Sequence, residues 1–169
     1  GRSDWDSAFA FSDRGTKAFF YPSIGLSGIL SEVIKLPDWF TFLKARVSYT
    51  SVGNSYDPYM TKVRYEYDPQ NHAYKVMSHY PNSDLKPEKT NSFEAGLNMR
   101  FFDNSLNFDI TYYTSDTKNQ TFYAPLPASS GFKDVAIQAG SVQNQGIEMA
   151  LGYNNEWKDF GWSSNLTFT

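Results

Sequence analysis

Aromatic side chains that could bind a flat ligand are concentrated in two stretches, residues 52–87 and 121–141, that show no regular alternation. Tyrosine and phenylalanine rings stack on sugar rings and supply rigid contact area at protein surfaces. The candidates for contact with a glycan or a partner protein are Tyr56, Tyr59, Tyr65, Tyr67, Tyr74, Tyr80, Phe122, Tyr123 and Phe132. The alternative is that these rings pack only among neighbouring loops.

Four charged residues, Glu94, Arg100, Asp109 and Glu148, lie inside segments that otherwise alternate between apolar and polar side chains. If the polar side of these segments faces a watery interior, the four side chains line it and can touch a bound molecule or a plug. The alternative is a solvated wall with charge pairing across strands. Because Arg100 and Asp109 flank one turn, the sequence predicts a pair between them.

The residue types needed for metal binding or catalysis do not form a pattern. His72 and His79 are seven positions apart near Asp68 and Asp84, whereas a metal site needs more ligands in tighter geometry. The chain has no cysteine and shows no phosphate-binding glycine loop, nucleophile elbow or paired catalytic carboxylates. We therefore expect no metal, no cofactor and no enzymatic activity. A net charge of -3 without a Lys/Arg cluster also argues against nucleic-acid binding.

The elements that position these residues are strands with a strict period of two. Phe93, Leu97 and Phe101 share one parity of the first central strand, and its polar residues take the other. The short link 103–105 predicts an antiparallel hairpin with the next strand. The predicted strands cover residues 4–12, 21–31, 43–51, 92–101, 106–113, 143–154 and 161–169, with a small hairpin strand within 60–67.

The length and charge of these strands favour a membrane barrel. The central strands have about 10 to 13 residues, and a tilted strand needs about 9 to 11 to cross an outer membrane. Short links alternate with long ones, as periplasmic turns alternate with outer loops. The mean hydropathy of -0.52 and the lack of a long apolar run exclude a helical membrane protein. The predicted fold is all-β, an antiparallel transmembrane β-barrel segment of about seven long strands, which cannot close without exposed edges.

Four segments in order resemble one family. The run LKPEKTNSFEAGLNMRFFDNSLNFDITYYTSDTKNQ is similar to the C-terminal barrel of the SusC/RagA group of TonB-dependent outer-membrane transporters of Bacteroidetes. The pieces YPSIGLSGILSE, LKARVSYTSVGN and AGSVQNQGIEMALGYN resemble further family segments. The resemblance covers nearly the whole chain and is weaker in 52–83 and before Tyr21.

The resemblance implies a bacterial outer-membrane location and a 22-stranded barrel with an N-terminal plug. It implies that residues 1–169 are part of the barrel domain, without the plug. Implied partners are a SusD-like surface lipoprotein as lid, the rest of the barrel with its plug, the TonB complex through the missing N-terminal part, and outer-membrane lipid. The implied substrate is an oligosaccharide, or a peptide as in some members. The N-terminus lacks a signal-peptide pattern, so we expect the protein to start elsewhere.

Two other classes remain open from the residues. A soluble, aromatic-rich β-sandwich that binds carbohydrate would bury Phe93, Leu97, Phe108, Ile110 and Leu151 against a second sheet. In a barrel the same side chains would face lipid. An outer-membrane porin without TonB coupling is the third alternative.

Overall fold

The computed structural model describes residues 1–6, 18–56 and 60–169, in which nearly all regular structure is β-strand. The strands are β1 Arg2–Trp5, β2 Ala18–Tyr21, β3 Ser23–Ile29, β4 Phe40–Asn54, β5 Tyr65–Asp68, β6 Ala73–Val76, β7 His79–Tyr80, β8 Glu88–Phe101, β9 Leu106–Lys118, β10 Thr121–Pro125, β11 Asp134–Gln138, β12 Ser141–Trp157 and β13 Phe160–Phe168. Short 3-10 turns lie at Leu30–Glu32 and Ala128–Ser130. Within this described part, no helix combines the length and apolar character needed to cross a membrane.

Six strands form one sheet in the order β13-β12-β9-β8-β4-β3. The antiparallel register keeps apolar residues opposite apolar residues, because Leu26 pairs with Val47 and Leu151 with Leu166. The intervening positions pair polar or small residues, such as Ala150 with Thr167. The sheet therefore has one apolar and one polar face, as the alternation predicted.

The apolar face of this sheet is not a protein core. Phe93, Leu97 and Leu151 are 38 to 40% exposed, and Phe108 and Ile110 are only half-buried. The buried hydrophobic residues of the described chain are Met60, Met77, Leu85 and Ala136, and none of them belongs to the six-stranded sheet. The soluble sandwich, which would bury these side chains, is therefore not the fold of the six-stranded sheet.

The chain divides into two compact units. The strand unit contains Ser23–Thr50, Asn91–Ser115 and Gln143–Thr169. Its short turns carry aromatic clusters. Phe40 stacks on Phe101 with ring centroids 4.7 Å apart, and Trp39 stacks on both rings. The β8–β9 turn uses positive φ at Phe102, Asp103 and Asn104, a local conformation that lets the chain reverse within four residues.

The loop unit contains Gly1–Pro22, Ser51–Thr90 and Asp116–Val142. Its core consists of Met60, Leu85 and Ala136, with Phe19 and Tyr56 packed against it. Around this core lie the antiparallel β1–β2 and β5–β6 hairpins and a three-stranded sheet in the order β10-β11-β7, in which β7 runs parallel to β11.

Several details differ from the sequence prediction. Six of the seven predicted strands lie in the large sheet, whereas the first becomes the short strand β1, paired with β2. The rest of that predicted strand falls outside the described residues. The small hairpin strand predicted within 60–67 overlaps β5, which pairs with β6, and the stretches predicted as irregular also contain β6, β7, β10 and β11. They lack long alternation because they pack on a small local core, which does not demand a continuous apolar face.

Candidate functional site

An ion-pair network occupies the polar face of the strand unit. Arg46 of β4 donates to both carboxylate oxygens of Asp109 on β9, at 3.1 and 3.0 Å, and also to the hydroxyl of Thr111. Asn98 of β8 donates to Asp109 at 3.1 Å. The Nε of Arg46 lies 3.6 Å from Glu94. Bidentate geometry of this kind fixes orientation as well as charge.

Gly96 allows this network to form. In the sheet order, β8 lies between β4 and β9, so Arg46 must cross a whole strand to reach Asp109. Neighbouring strands are about 4.8 Å apart, so the side chain of Arg46 has to cover two strand spacings. It can do so only if no side chain of β8 blocks its path. A Cβ at Gly96 would lie 2.8 Å from the Arg46 Nε. The absent side chain is therefore what lets the guanidinium lie flat over β8.

A groove of about 410 Å³ adjoins the network on the polar face. It is lined by Arg46, Ser92, Phe93, Glu94, Thr111, Tyr113, Thr114, Ser115 and Glu148. Tyr113 lies over Gly146 of the neighbouring strand, where a Cβ would be 2.7 Å from the tyrosine hydroxyl. Arg46 and Tyr113 thus both lie along the wall instead of projecting from it, and the groove stays open.

The four predicted charged residues all occupy the polar parity, and three of them meet in this region. Glu94 and Asp109 contact Arg46, and Glu148 lines the same groove. The predicted pair between Arg100 and Asp109 is wrong. Arg100 instead lies over the ring of Phe42, 5.0 Å from its centroid, and Asp109 is held by Arg46.

Arg46 is the residue that the sequence reasoning missed as a candidate. It lies 63 positions from Asp109, and only the strand order brings the two together. The sequence did contain a signal for this contact: Arg46 is a charged residue among the polar positions of β4, and Gly96 is a glycine among the polar positions of β8. A contact with substrate remains a prediction for all of these residues.

The β5–β6 hairpin gathers three of the predicted tyrosines on one face. Tyr67 pairs with Tyr74 and Tyr65 pairs with Val76, so the three rings point to the same side. They are exposed, at 67% for Tyr65, 52% for Tyr67 and 74% for Tyr74. The Tyr67 and Tyr74 rings lie 5.4 Å apart and are tilted. The opposite face is charged, with Glu66 paired to Lys75.

The turn of this hairpin is held by Asp68. Its carboxylate accepts hydrogen bonds from the Asn71 side chain at 3.0 Å and from the backbone N–H of Gln70 at 3.0 Å. The Asn71 amide, followed by that N–H, lowers the pKa of Asp68 below its usual value. His72 is also part of the turn, because its Nδ1 lies 3.0 Å from the Tyr67 hydroxyl.

Four more candidates lie on, or in contact with, the three-stranded sheet of the loop unit. Tyr80 and Phe132 make an edge-on contact at 5.2 Å, on the face shared with Phe122. Tyr123 lies on the other face, 5.6 Å from the ring of His79. Phe122, Tyr80 and Tyr123 are each about half exposed, at 48, 49 and 51%.

Tyr56 has a structural role in the loop unit. Its hydroxyl donates to the Asn119 carbonyl and accepts from Gln138 and Thr121. Gln138 also exchanges hydrogen bonds with the backbone of Lys86. Tyr56 therefore ties the two long outer stretches together. Tyr59 lies outside the described residues.

The two histidines are not brought together. His72 bonds Tyr67, and His79 bonds the buried carboxylate of Asp134. Among the described residues, no group of three or more His, Cys, Asp or Glu side chains has an arrangement that could hold a metal ion.

Comparison with known proteins identifies the family. A model of the TonB dependent receptor-like β-barrel matches residues 1–169. TonB-dependent receptor P3 of Formosa agariphila is 30% identical over 99% of this chain, and TonB-dependent receptor P26 of the same organism is 31% identical over 98%. The chain spans 17% of the length of each of these relatives.

Solved structures support the same fold. The RagAB peptide importer in the "closed-closed" state matches 98% of this chain, and 19% of its own, with a TM-score of 0.71 at 23% identity. The siderophore receptor PirA from Pseudomonas aeruginosa matches 90% of this chain, and 28% of its own, with a TM-score of 0.55 at 16% identity. Both likenesses are likenesses of fold. The chain belongs to the TonB-dependent receptor-like β-barrel family, whose members lie in the outer membrane of Gram-negative bacteria.

Proposed function

We propose that the protein containing this chain imports oligosaccharides across the outer membrane with energy from the TonB system. The family supports import, because the relatives of this chain are TonB-dependent receptors. The observation that supports a glycan as substrate is the platform of Tyr65, Tyr67 and Tyr74 on the β5–β6 hairpin. Three exposed rings on one face, with charges on the other, are suited to stacking on successive sugar rings.

The test is glycan binding by the complete transporter with the platform removed. Each ring contact is worth about 0.5 to 1.5 kcal/mol, so Tyr65→Ala and Tyr74→Ala should each weaken glycan binding about 2- to 13-fold. Glu66→Gln, on the opposite face of the same hairpin, is the matched control and should leave binding unchanged. Equal binding by the wild type and both tyrosine variants would reject the platform as a glycan site.

Peptide import is the second candidate. It is supported by the fold match to RagAB, a peptide importer by its printed name. An uptake assay with the complete transporter separates peptide import from oligosaccharide import. If the substrate is a peptide, a peptide mixture is depleted from the medium and an oligosaccharide mixture is not. If neither mixture is taken up, the importer proposal itself fails. It also fails if uptake is unchanged when TonB is disrupted.

We place the lid, a SusD-like surface lipoprotein, against the exposed face of the three-stranded sheet. Phe122, Ile137 and Tyr80 share that face and are 38 to 49% exposed. Aromatic and aliphatic residues of this kind are enriched at the centres of protein interfaces. A photo-crosslinking residue at Phe122 should capture the lipoprotein, and one at Tyr123, on the other face, should not. Equal capture from both positions would rule out this face as the lid contact.

A further inference from the structure

The charged side chains of the β5–β6 hairpin neutralise each other. Arg64, just before β5, lies with its Nη2 3.3 Å from a carboxylate oxygen of Glu66. Lys75 of β6 lies with its Nζ 3.9 Å from a carboxylate oxygen of Asp68. Residues 64–76 contain no other lysine, arginine, aspartate or glutamate. Each of these cations is therefore already engaged by a carboxylate of the same hairpin.

The ion pairs lie on the face of the hairpin opposite the tyrosine platform. Strand alternation turns Glu66 away from Tyr65 and Tyr67, and Glu66 pairs across the hairpin with Lys75. Val76 pairs with Tyr65 and is 43% exposed, so the fourth position on the face of the platform is apolar as well. Within the hairpin, this face consists of three aromatic rings and one aliphatic side chain, without a lysine or arginine.

A face of this composition treats uncharged and acidic sugars differently. The apolar C–H face of an uncharged sugar stacks on an aromatic ring without stripping water from a charge. A carboxylate or sulphate group brought to the same place loses part of its hydration, and no cation on this face replaces the lost water. The faces of aromatic rings also carry negative partial charge, which repels an anion. Both effects weaken the binding of an acidic sugar.

The cations of the opposite face do not compensate for this cost. The hairpin is a two-stranded sheet, so the side chain of Arg64 or Lys75 would have to fold around a strand to meet a ligand on the platform. It would also have to leave its own carboxylate. An anionic ligand would then only exchange one exposed ion pair for another, which gives no net gain.

Given the glycan import proposed above, on which this step rests, we propose that the platform selects against acidic sugars. The stretch of glycan lying on Tyr65, Tyr67 and Tyr74 then carries neither carboxylate nor sulphate groups. The selection is local, because Tyr65 and Tyr67 are about 7 Å apart along β5 and the Tyr67 and Tyr74 rings are 5.4 Å apart. An acidic group outside this short stretch does not meet the rings.

The test measures the binding of matched pairs of oligosaccharides to the complete transporter by isothermal titration calorimetry. The panel contains linear glucose, mannose and galactose oligomers, each beside the form in which the primary alcohols have been oxidised to carboxylates. At pH 8 these carboxylates are charged and histidine side chains are neutral. A neutral oligomer that binds should lose at least about 10-fold in affinity on oxidation. Tyr74→Ala should narrow this difference, because the ring favours the neutral form and repels the oxidised one.

A cation placed on the face of the platform should weaken the selection. Val76→Lys puts an ammonium group beside Tyr65. An exposed ion pair of up to about 1 kcal/mol corresponds to a gain of up to about 5-fold in the affinity for the oxidised oligomer. Ala73→Lys is the matched control, because it adds the same charge on the opposite face, where residue 73 pairs with Asp68. It should leave both affinities unchanged.

The results separate failure of the selection from failure of the glycan site. If neutral and oxidised oligomers bind equally, and Tyr65→Ala and Tyr74→Ala weaken the binding of both, the platform binds glycans without this selection. Tighter binding of the oxidised forms, or an equal gain from Ala73→Lys, would also overturn the selection. If neither tyrosine variant changes binding, or if no oligomer binds, the platform is not a glycan site and the proposed glycan import loses its support.

Discussion

Replacing Gly96 by alanine should weaken the ion pair between Arg46 and Asp109, although neither partner is changed. The new Cβ would lie 2.8 Å from Nε, 2.9 Å from Cζ and 3.0 Å from Nη2 of Arg46. Because the strand fixes the backbone at position 96, the guanidinium has to move. Its bonds to Asp109 are already 3.0 and 3.1 Å long, so a shift of a few tenths of an ångström takes them out of the favourable range.

The expected size follows from the partial burial of the pair. Hydrogen bonds to charged groups contribute about 1.5 to 3 kcal/mol, and exposed ion pairs about 0 to 1 kcal/mol. The side chains of Arg46 and Asp109 are 37 and 31% exposed, so a loss of about 1 to 2 kcal/mol is expected. Alanine in a strand recovers about 0.5 to 1 kcal/mol relative to glycine. The net cost of Gly96→Ala is therefore about 0 to 1.5 kcal/mol.

The sign of the effect should reverse when the arginine is removed. In an Arg46→Met background nothing charged crosses position 96, so alanine should stabilise β8 by about 0.5 to 1 kcal/mol. The assay is hydrogen–deuterium exchange of the complete transporter, followed in peptides covering residues 91–101 and 106–115, which reports local opening. The four proteins form a double-mutant cycle with an expected coupling of about 1 to 2 kcal/mol.

A matched substitution separates this effect from the general cost of adding a methyl group. At Gly25, on the polar face of β3, a Cβ would meet Ser48 at an ordinary 3.7 Å, so Gly25→Ala should not speed exchange. If Gly96→Ala changes exchange equally with and without Arg46, the crossing of β8 by the guanidinium is not what requires glycine. The reasoning would then be refuted.

Three further predictions concern other contacts. Gln138→Ala removes the bonds to Tyr56 and the neighbouring backbone, so peptides covering 86–90 and 119–121 should lose about 1 to 3 kcal/mol of protection, and unchanged exchange would contradict this. The pKa of Asp68 is lowered by its hydrogen bond from Asn71, so its contribution to stability is present above the ordinary pKa and is lost as the pH falls through the lowered one. Protection of the β5–β6 hairpin, corrected for intrinsic exchange, should therefore fall as the pH drops below the ordinary value of about 4, and Asp68→Asn should abolish that dependence. Trp39→Ala removes two ring stacks worth about 1 to 3 kcal/mol together, so exchange in 102–105 should rise at least 5-fold, and a smaller rise would show that the stacks add little.

The long strands could be predicted because lipid on one side and water on the other impose a strict period of two. Phe93 to Phe101 and Leu106 to Tyr112 read as strands from their alternation alone, and the register of β12 with β13 keeps the same parity. The turn predicted at 103–105 was also recognisable because Asp103 and Asn104 are residue types that tolerate positive φ.

The strands of the loop unit could not be predicted in the same way. β7 pairs in parallel with β11, joining His79 to Asp134 across 55 positions, and no local pattern encodes such a pairing. The Arg46 network depends likewise on strand order, which places β8 between β4 and β9. Residue types suggested that Arg100 would pair with Asp109, but only geometry shows that Gly96 opens the path for Arg46.

The central claim is that the apolar face of the six-stranded sheet faces lipid and the polar face a watery lumen. Spin labels at Leu151 and Leu166, which pair across β12 and β13, and at the adjacent pair Ala150 and Thr167 test it directly in the complete transporter in lipid bilayers. The leucine positions should be relaxed by oxygen, which concentrates in lipid, and the other two by a water-soluble nickel chelate. Labels at Leu151 and Leu166 that are shielded from both quenchers would show a protein core on that face and contradict the account.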